Sequence, residues 1–390
     1  MPEGRKIVTA LPENSETPIE DVRGWVTPNR LFFVRNHFPL PSIDLASWRL
    51  TVEGEVERRL EWSWDDLAAL PERSVFATME CAGNGRSFLA QHAHGVQWGA
   101  GAIGHAEWTG VPVGHLLKKA GIKPGAVEVL FEGADIGSEA DHPEPMHFQR
   151  SLPLDKALDM DTLLVTRMNG ELLEPSHGYP VRLLAPGWYG VASVKWLRRI
   201  EVLREPFRGY FQTKKYTVAR HTGRGLERVV VGPMAVKSEI IRPHAGEVLG
   251  LGTNRLFGVA WAGPEAVARV EISTDAGQTW RQADLIGMRA PYSWTMWEYL
   301  WEVAEPGAYV LLARAISSSG KVQPAEHDPL NEGYLIHHSR ATPIQVLRTR
   351  HIQDQRADAE TLLYDMNCFA ADNTRLPLDV QIEFAGGEGI

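Results

Sequence analysis

One of the two cysteines in this 390-residue chain lies beside a glycine-rich turn. Cys81, in TMECAGNGRS (78–87), is followed by Ala82-Gly83-Asn84-Gly85 and then by Arg86. A nearby guanidinium favours the thiolate, which is the form of cysteine that binds metals and attacks electrophiles. This spacing indicates a functional thiol, although a free cysteine is more often a small buried hydrophobic residue.

The residues around Cys81 narrow the chemistry open to its thiol. The sequence has no CxxC pair, no HExxH and no Cys/His cluster at ligand spacing, so it predicts no zinc site. A cysteine protease could draw a base from the fourteen histidines, but the residues around Cys81 do not resemble a nucleophile elbow. A single thiolate suits a soft transition metal whose other ligands come from a cofactor.

Two further segments embed cationic side chains among apolar, glycine and proline residues. Buried cations need anionic partners, which are either internal carboxylates or the phosphate or oxyanion of a ligand. Their concentration in one part of the chain favours an anion-binding pocket, with an internal salt bridge as the alternative for each. No Walker loop or GxGxxG motif indicates a common nucleotide site. The two segments are LFFVRNHFP (31–39), with Arg35, Asn36 and His37, and HGYPVRLLAPGWYGVASVKW (177–196), with His177, Arg182 and Lys195.

The elements that must position these residues alternate between strand-like and helix-like pieces up to about Leu203. This alternation predicts an α+β domain with a mixed sheet. The predicted strands are SWRLTVEGEV (47–56), AVEVLFEGAD (126–135), HGYPVRLLAP (177–186) and WLRRIEVL (196–203), and the predicted helices are WSWDDLAALPE (62–72), capped by Ser63, and Thr109–Ala120, closed by Gly121.

The second half of the chain has a different pattern. Tyr210 to Lys237 is polar and predicts a connector. Beyond it, segments of high β-propensity alternate with turn residues such as Asp275-Ala276-Gly277, which predicts an immunoglobulin-like β-sandwich. The predicted divisions are an N-terminal segment (1–30), a catalytic domain (31–237), the sandwich (238–348) and a C-terminal tail (349–390), in which Cys368 is expected to be structural or incidental.

Bulk composition excludes several classes of protein. The formal charge of −9 argues against a general nucleic-acid role. No apolar run approaches the roughly 18 residues of a membrane span, and two cysteines cannot form a disulfide framework. The N-terminus has no apolar core and no twin-arginine pair, so we expect a cytoplasmic protein, or a periplasmic one if a leader has been removed.

Together, these segments resemble the sulfite oxidase family of molybdopterin-dependent oxidoreductases, in its bacterial, haem-free form. The similarity follows the family's order of motifs, and VARVEISTDAGQTW in the second half is similar to its dimerisation domain. The matching stretches are Phe33-Val34-Arg35-Asn36-His37, Cys81-Ala82-Gly83-Asn84 with Arg86, FEGAD with Asp135, His177-Gly178-Tyr179-Pro180-Val181-Arg182, and Ser193-Val194-Lys195-Trp196.

The resemblance implies a role for each matching residue. Cys81 would bind molybdenum beside the sulfurs of one pterin. Arg35 and Arg86 would face an oxyanion substrate, Trp98 would line the pocket, and Tyr216 would be the active-site tyrosine, with a surface position in the connector as its alternative. The residues that would hold the pterin and its phosphate are Phe33, Val34, Arg35, Asn36, His37, Asp135, His177, Arg182, Ser193, Val194 and Lys195.

The activity implied is oxidation of sulfite to sulfate by a homodimer that passes electrons to a separate acceptor, such as a c-type cytochrome. No haem is expected, because the sequence has no CxxCH site and no haem domain. Reduction of nitrate stays open because Ser293-Trp294-Thr295-Met296-Trp297 lacks an arginine that the resemblance leads us to expect there. Oxidation of another sulfur compound and a non-catalytic anion-binding role are further alternatives. His92, His94 and His105, near Trp98, are expected at the surface, with a position at the border of the pocket as the alternative.

Overall fold

The computed structural model describes residues 4–348, and the predicted tail with Cys368 lies outside them. Within residues 4–348, no helix is long and apolar enough to cross a bilayer. The chain begins with an antiparallel sheet of β1 (Lys6–Thr9), β2 (Asn14–Glu16) and β3 (Val34–Arg35). The predicted N-terminal segment is therefore folded onto the strand that carries Arg35.

Two sheets build the first domain. One has the order β5-β4-β13-β8-β9 and is mixed, because β13 runs parallel to β4 and antiparallel to β8. The other has the order β11-β10-β7-β6, with β12 also paired to β10. The bounds are β4 Leu50–Gly54, β5 Leu60–Trp62, α1 Trp64–Ala68, β6 Arg73–Glu80, β7 Ile103–Pro112, α2 Val113–Ala120, β8 Glu128–Glu139, β9 His142–Pro153, α3 Leu154–Leu158, β10 Leu163–Met168, β11 Glu171–Leu172, β12 Arg182–Leu184 and β13 Leu197–Leu203.

The two predicted helices are present, and both are shorter than expected, because α1 ends at Ala68 and α2 begins at Val113. A capping box begins α1, since Ser63 Oγ accepts from the Asp66 N–H and the Asp66 carboxylate accepts from the Ser63 N–H. The prediction that the second helix starts at Thr109 is wrong. Residues 109–112 end β7, where they pair with β6 and β10, and α2 begins only after Pro112.

A bulge near the start of β13 breaks the alternation of buried and exposed residues. The pairing with β8 shifts between Leu197 and Arg199, so Leu197 is buried together with Ile200 and Val202 rather than with Arg199.

The predicted connector is also folded. It contains α4 (Tyr210–Thr213) and an antiparallel hairpin of β14 (Thr217–Thr222) and β15 (Gly225–Val230). Six 3₁₀ turns complete the helical content of the described residues, at Ile19–Asp21, Asn29–Leu31, Arg86–Phe88, Pro175–His177, Gly190–Ala192 and Pro329–Asn331.

The second domain is a curled β-sheet, which confirms the predicted immunoglobulin-like sandwich. Its strand order is β16-β18-β21-β20-β19-β22-β23-β17. Ala276 and Gly277, in the predicted turn between β19 and β20, both have positive φ. The bounds are β16 Lys237–Arg242, β17 Val248–Gly250, β18 Gly252–Trp261, β19 Val267–Ser273, β20 Arg281–Ile286, β21 Thr295–Val303, β22 Gly307–Ser317 and β23 Thr342–Leu347.

A continuous hydrophobic core crosses from the first domain into the second. At the crossing, the Trp25 Nε1–H donates to the Trp294 carbonyl (3.2 Å), and the Trp294 Nε1–H donates to the Trp25 carbonyl (2.8 Å). The domain boundary at residue 237 stays a prediction, because Lys237 already begins β16.

Candidate active site

Two adjoining cavities bring nearly all the predicted site residues together. Arg35, His37, Cys81 and Tyr216 line both cavities and so mark where they meet. The outer cavity also contains Arg86 and Trp98. The predicted residues in the inner cavity are Phe33, Val34, Arg35, Asn36, His37, Cys81, Asp135, His177, Arg182, Ser193, Lys195 and Tyr216.

Val194 is the predicted residue that lines neither cavity. Its side chain is buried in the core. Its carbonyl accepts a 2.7 Å hydrogen bond from the Leu183 N–H, which ties β12 to the segment that ends in Lys195. Val194 therefore lies behind the inner cavity, whereas its neighbours Ser193 and Lys195 line it.

Cys81 follows the last residue of β6, and both its N–H and its carbonyl are hydrogen-bonded. Its N–H donates to the Ala102 carbonyl, and its own carbonyl accepts from the Asn84 N–H, each at 2.9 Å. Gly85 closes the turn with φ +92°, which favours glycine. Between residues 4 and 348, no group of three His, Cys, Asp or Glu side chains could hold a metal by itself.

Buried cations dominate the inner cavity. Arg182 donates to the carbonyls of His177 and Ser193, and the Lys195 ammonium donates to the Ser176 carbonyl and to Asn36. These acceptors are neutral. Burial accordingly lowers the pKa of Arg182 to about 9 and, together with the Arg182 charge, lowers the pKa of Lys195 well below its usual range.

Burial shifts the pKa of two titratable neighbours of these cations. Burial and the adjacent Arg182 and Lys195 hold the pKa of His177 well below its usual value, so its imidazole is uncharged at neutral pH. Burial raises the pKa of Asp135 to about 6, although Lys195 acts to lower it, so this carboxyl group is mostly ionised at pH 7. The guanidiniums of Arg35 and Arg182 outnumber this one carboxylate, so the inner cavity has an excess of positive charge.

The inner cavity also presents polar atoms that no protein group satisfies. His177 Nε2, Arg182 Nε and Asp135 Oδ1 are buried and lack a hydrogen-bond partner. Such atoms are rare in folded proteins unless a ligand or water completes them. Donors, an acceptor and excess positive charge fit a polar, phosphate-bearing pterin, so the residues present are suitable for the predicted cofactor.

The N-terminal hairpin positions Arg35. Asn14 on β2 pairs with Arg35 on β3, and the Asn14 Oδ1 accepts from the Arg35 guanidinium (3.2 Å) and from the Asn36 N–H (2.9 Å). The Asn14 amide in turn donates to Thr9 Oγ1 (2.7 Å). The guanidinium is thereby held at the junction of the two cavities.

Tyr216 is buried at the junction rather than exposed in a connector. Its hydroxyl lies 2.6 Å from His37 Nε2, and the imidazole stacks on Phe148. Burial, followed by the charge of Arg35, keeps the pKa of His37 well below its usual value, and burial raises that of Tyr216. Both side chains are therefore neutral and are joined by one hydrogen bond beside Cys81.

Arg86 lines the outer cavity, but its guanidinium is mostly engaged by backbone. It donates to the Gly333 carbonyl through Nε and Nη2 and to the Val96 carbonyl through Nη1. A Cβ at Gly83 would lie 2.2 Å from Arg86 Nη2, and one at Gly95 would lie 2.7 Å from Nη1. Two of the five N–H groups remain for a ligand, and the predicted contact with substrate stays a prediction.

The second domain completes the outer cavity, which has a volume of about 850 Å³. Its contribution includes Glu332, Gly333 and Tyr334, and the Tyr334 ring lies 5.0 Å from that of Tyr216. Segment 293–297, in which the resemblance led us to expect an arginine, does not contribute to this part of the site. Trp294 is fully buried against Trp25, and no residue of that segment lines either cavity.

The three histidines near Trp98 differ in position. His92 and His94 are exposed at the rim of the outer cavity. The expectation that His105 is at the surface is wrong, because its ring is fully buried between Trp25 and Trp294. Burial lowers its pKa to about 3.

Several lining residues were missed by sequence reasoning. Met79, Ser176 and Trp196 line the inner cavity and stand within two positions of a predicted residue, so adjacency could have indicated them. Phe148 and Tyr334 had no such signal, because the fold alone brings β9 and the second-domain loop to the site.

Two family models match the chain. "Oxidoreductase molybdopterin binding domain" matches residues 37–211, and "Mo-co oxidoreductase dimerisation domain" matches residues 228–331. Together with the site, they define a molybdopterin-dependent oxidoreductase, and the second match supports a homodimer.

Relatives of known name agree with this class. Sulfite oxidase of Gallus gallus is 34% identical over 351 residues, covering 84% of this chain and 74% of the relative. The mitochondrial sulfite oxidase of Homo sapiens is 34% identical over 344 residues, covering 83% of this chain and 62% of the relative. Nitrate reductase [NADH] of Solanum lycopersicum is 32% identical over 352 residues, covering 80% and 38%. The chain thus spans less than two thirds of the latter two relatives.

A solved structure extends the likeness to the whole fold. The sulfane dehydrogenase SoxCD from Paracoccus pantotrophus matches with a TM-score of 0.75 and 30% identity over 87% of each chain. The chain belongs to the sulfite oxidase family of molybdopterin-dependent oxidoreductases.

Proposed function

We propose that this enzyme oxidises sulfite to sulfate and passes the electrons to a separate acceptor protein. The observation that carries the proposal is the junction of the two cavities, where Arg35, Tyr216 and Cys81 meet. A small anion in the outer cavity can reach the position opposite the thiol only at this junction. The sulfite oxidases among the relatives support the choice of substrate.

The reaction adds one oxygen from water to the sulfur of sulfite and releases two protons and two electrons. Molybdenum held by Cys81 and the pterin would supply the oxygen transfer and take up the electrons. Arg35 would bind the oxyanion through charge and directed N–H groups, with Arg86 contributing charge from the rim. The neutral Tyr216–His37 pair offers a hydroxyl that can donate to a substrate oxygen.

Holding the cofactor falls to the inner cavity. Arg182 and Lys195 would neutralise its phosphate, and the unpaired atoms of His177 and Asp135 would complete hydrogen bonds to its ring system. The electron acceptor is proposed to be a separate protein, such as a c-type cytochrome.

Oxidation of a sulfane sulfur is the second candidate. The sulfane dehydrogenase covers 87% of this chain and is itself covered to 87%, a more complete match than any of the three relatives compared above. The outer cavity of about 850 Å³ also has room for a substrate larger than sulfite.

A substrate panel on molybdenum-loaded protein tests the proposal. We expect turnover of sulfite with an artificial one-electron acceptor, and none with nitrate and a reduced dye. Turnover of thiosulfate or a persulfide without turnover of sulfite would instead establish the second candidate. Nitrate reduction as the faster reaction would overturn both.

A further inference from the structure

A buried carboxylate stands directly before the cysteine. Glu80 ends β6, and only about 2% of its surface is exposed. Burial of an ionised carboxylate is costly unless charged or hydrogen-bonding partners surround it. Glu80 lines neither cavity, so neither substrate nor cofactor accounts for its presence.

The partners of Glu80 come from two different parts of the fold. Its Oε1 accepts from Asn84 Nδ2 (3.1 Å), in the turn after Cys81, and from Lys237 Nζ (3.2 Å). Its Oε2 accepts from Trp261 Nε1 (2.9 Å). Lys237 and Trp261 are directly opposite each other on β16 and β18, so the second domain presents them as one unit.

The same carboxylate reaches Cys81 through the turn. Asn84 Oδ1 accepts from the Ala102 N–H (3.0 Å), and the Ala102 carbonyl accepts from the Cys81 N–H (2.9 Å). Glu80, Asn84 and Ala102 therefore form a closed set of hydrogen bonds around the backbone of Cys81. An apolar residue could fill the space of Glu80 but could not fix the Asn84 side chain.

We propose that Glu80 is a positioning residue for the Cys81 thiolate, and that the second domain holds it in place through Lys237 and Trp261. The proposal rests on Cys81 as the molybdenum ligand. The domain that matches a dimerisation domain thus also helps to position the proposed metal ligand. Loss of either second-domain partner would leave Glu80 less firmly held, and with it the turn that carries the thiol.

A matched pair of variants separates positioning from general stability. Trp261→Phe removes the donor to Glu80, and Trp297→Phe removes an equally buried indole donor of the same domain, whose 2.9 Å bond goes to Ser238 Oγ. Both should lower the thermal midpoint to a similar extent. Only Trp261→Phe should change the behaviour of Cys81.

The first measurement uses cofactor-free protein and the rate at which iodoacetamide alkylates Cys81, with peptide mapping to separate it from Cys368. Trp261→Phe should raise this rate about tenfold. The variant removes one hydrogen bond from the charged Glu80 carboxylate, which in turn holds the turn beside Cys81 less firmly. Trp297→Phe should leave the rate unchanged. Equal rates in the two variants would overturn the proposal.

The second measurement uses the electron paramagnetic resonance spectrum of the half-reduced, molybdenum-loaded protein. Trp261→Phe and Lys237→Met should shift the spectrum, because the orientation of the thiolate changes, whereas Trp297→Phe should retain the wild-type spectrum. Wild-type spectra in all three would contradict the proposal. A protein that shows these shifts but does not oxidise sulfite would refute only the proposed substrate, and a wild-type electron paramagnetic resonance spectrum in molybdenum-loaded Cys81→Ser would refute the ligand itself.

Discussion

The thiol of Cys81 is the single side chain on which the metal assignment depends. Cys81→Ser replaces a soft sulfur donor with a poor ligand for molybdenum while leaving the backbone bonds to Ala102 and Asn84 in place. We expect the variant to fold and dimerise like the wild type. Its sulfite turnover should fall by more than about tenfold, since even residues that only support a ligand cost this much, whereas the pterin contacts of the inner cavity should retain most of the molybdenum.

Metal analysis beside size-exclusion chromatography checks this expectation. Cys368→Ser is the matched control and should retain full molybdenum. Sulfite turnover by Cys81→Ser with an artificial acceptor would refute the assigned ligand.

His105 gives a pH-dependent prediction, because its ring is buried without charge. Its pKa falls from 6.5 to about 3 on burial, so between these values the unfolded chain binds one proton more than the folded chain. The stability it contributes is complete above pH 6.5 and is lost as the pH falls. His105→Phe should remove this loss, which amounts to about 2 kcal/mol between pH 6.5 and pH 4.5.

Denaturant unfolding at a series of pH values measures the difference in slope between wild type and His105→Phe. His92→Gln changes an exposed histidine and should retain the wild-type slope. Parallel pH profiles for wild type and His105→Phe would show that the imidazole is not the source of the acid sensitivity.

At the residue scale, local sequence indicated most of the site. Arg35, Cys81, His177 and Lys195 each stand beside glycine, proline or aromatic residues that mark an unusual position, and all four reach the cavities. The hydrogen bond between His37 and Tyr216 could not be predicted, because it joins residues far apart in the chain, which the packing of α4 on β9 brings together. Arg86 was predicted to face substrate, yet most of its donors meet backbone carbonyls that only the folded chain brings near.

Among the elements, the hairpin of β1 and β2 is the one whose role is least expected. It adds to β3 and clamps Arg35 through Asn14. Asn14→Leu should raise the KM for sulfite about tenfold with little change in kcat, because it loosens a group that binds substrate and transition state alike.

Steady-state kinetics on protein with matched molybdenum content measures this effect. Thr9→Val is the control, since it removes one of the two acceptors of the Asn14 amide, the other being the Pro12 carbonyl, without touching Arg35. A fall in kcat at unchanged KM would place the hairpin's effect on the cofactor rather than on substrate binding.

The elements themselves were predictable where one local rule dominated. The capping box of α1 and the strand β4 followed directly from side-chain types. The hairpin of β14 and β15 was missed because charged and polar residues fill its exposed face, which in sequence looks like a connector. The start of α2 was misplaced although residues 109–112 (Thr-Gly-Val-Pro) are poor helix formers, which pair in the sheet up to Pro112, a residue common at helix starts.

At the scale of the whole molecule, the second domain is not a separate module. It contributes Tyr334 to the outer cavity, the Gly333 carbonyl to Arg86, and Lys237 and Trp261 to Glu80. The sequence predicted the fold of each domain, because strand patterns are local. It could not predict this interdependence, since the hydrogen bonds to Arg86 and Glu80 join positions 157 to 247 residues apart in the chain.

The shared core makes cooperative unfolding the natural expectation. Trp25 and Trp294 exchange two hydrogen bonds across the crossing and are both buried. Far- and near-ultraviolet circular dichroism should therefore report one thermal transition. Trp294→Ala should lower the free energy of unfolding by about 3–5 kcal/mol and move both signals together. Trp280→Ala, at the surface turn of β19 and β20, should shift neither by more than about 1 kcal/mol. Two separate transitions in Trp294→Ala, with the sandwich melting alone, would show that the domains fold independently and that the contacts at Glu80 and Arg86 form only after both have folded.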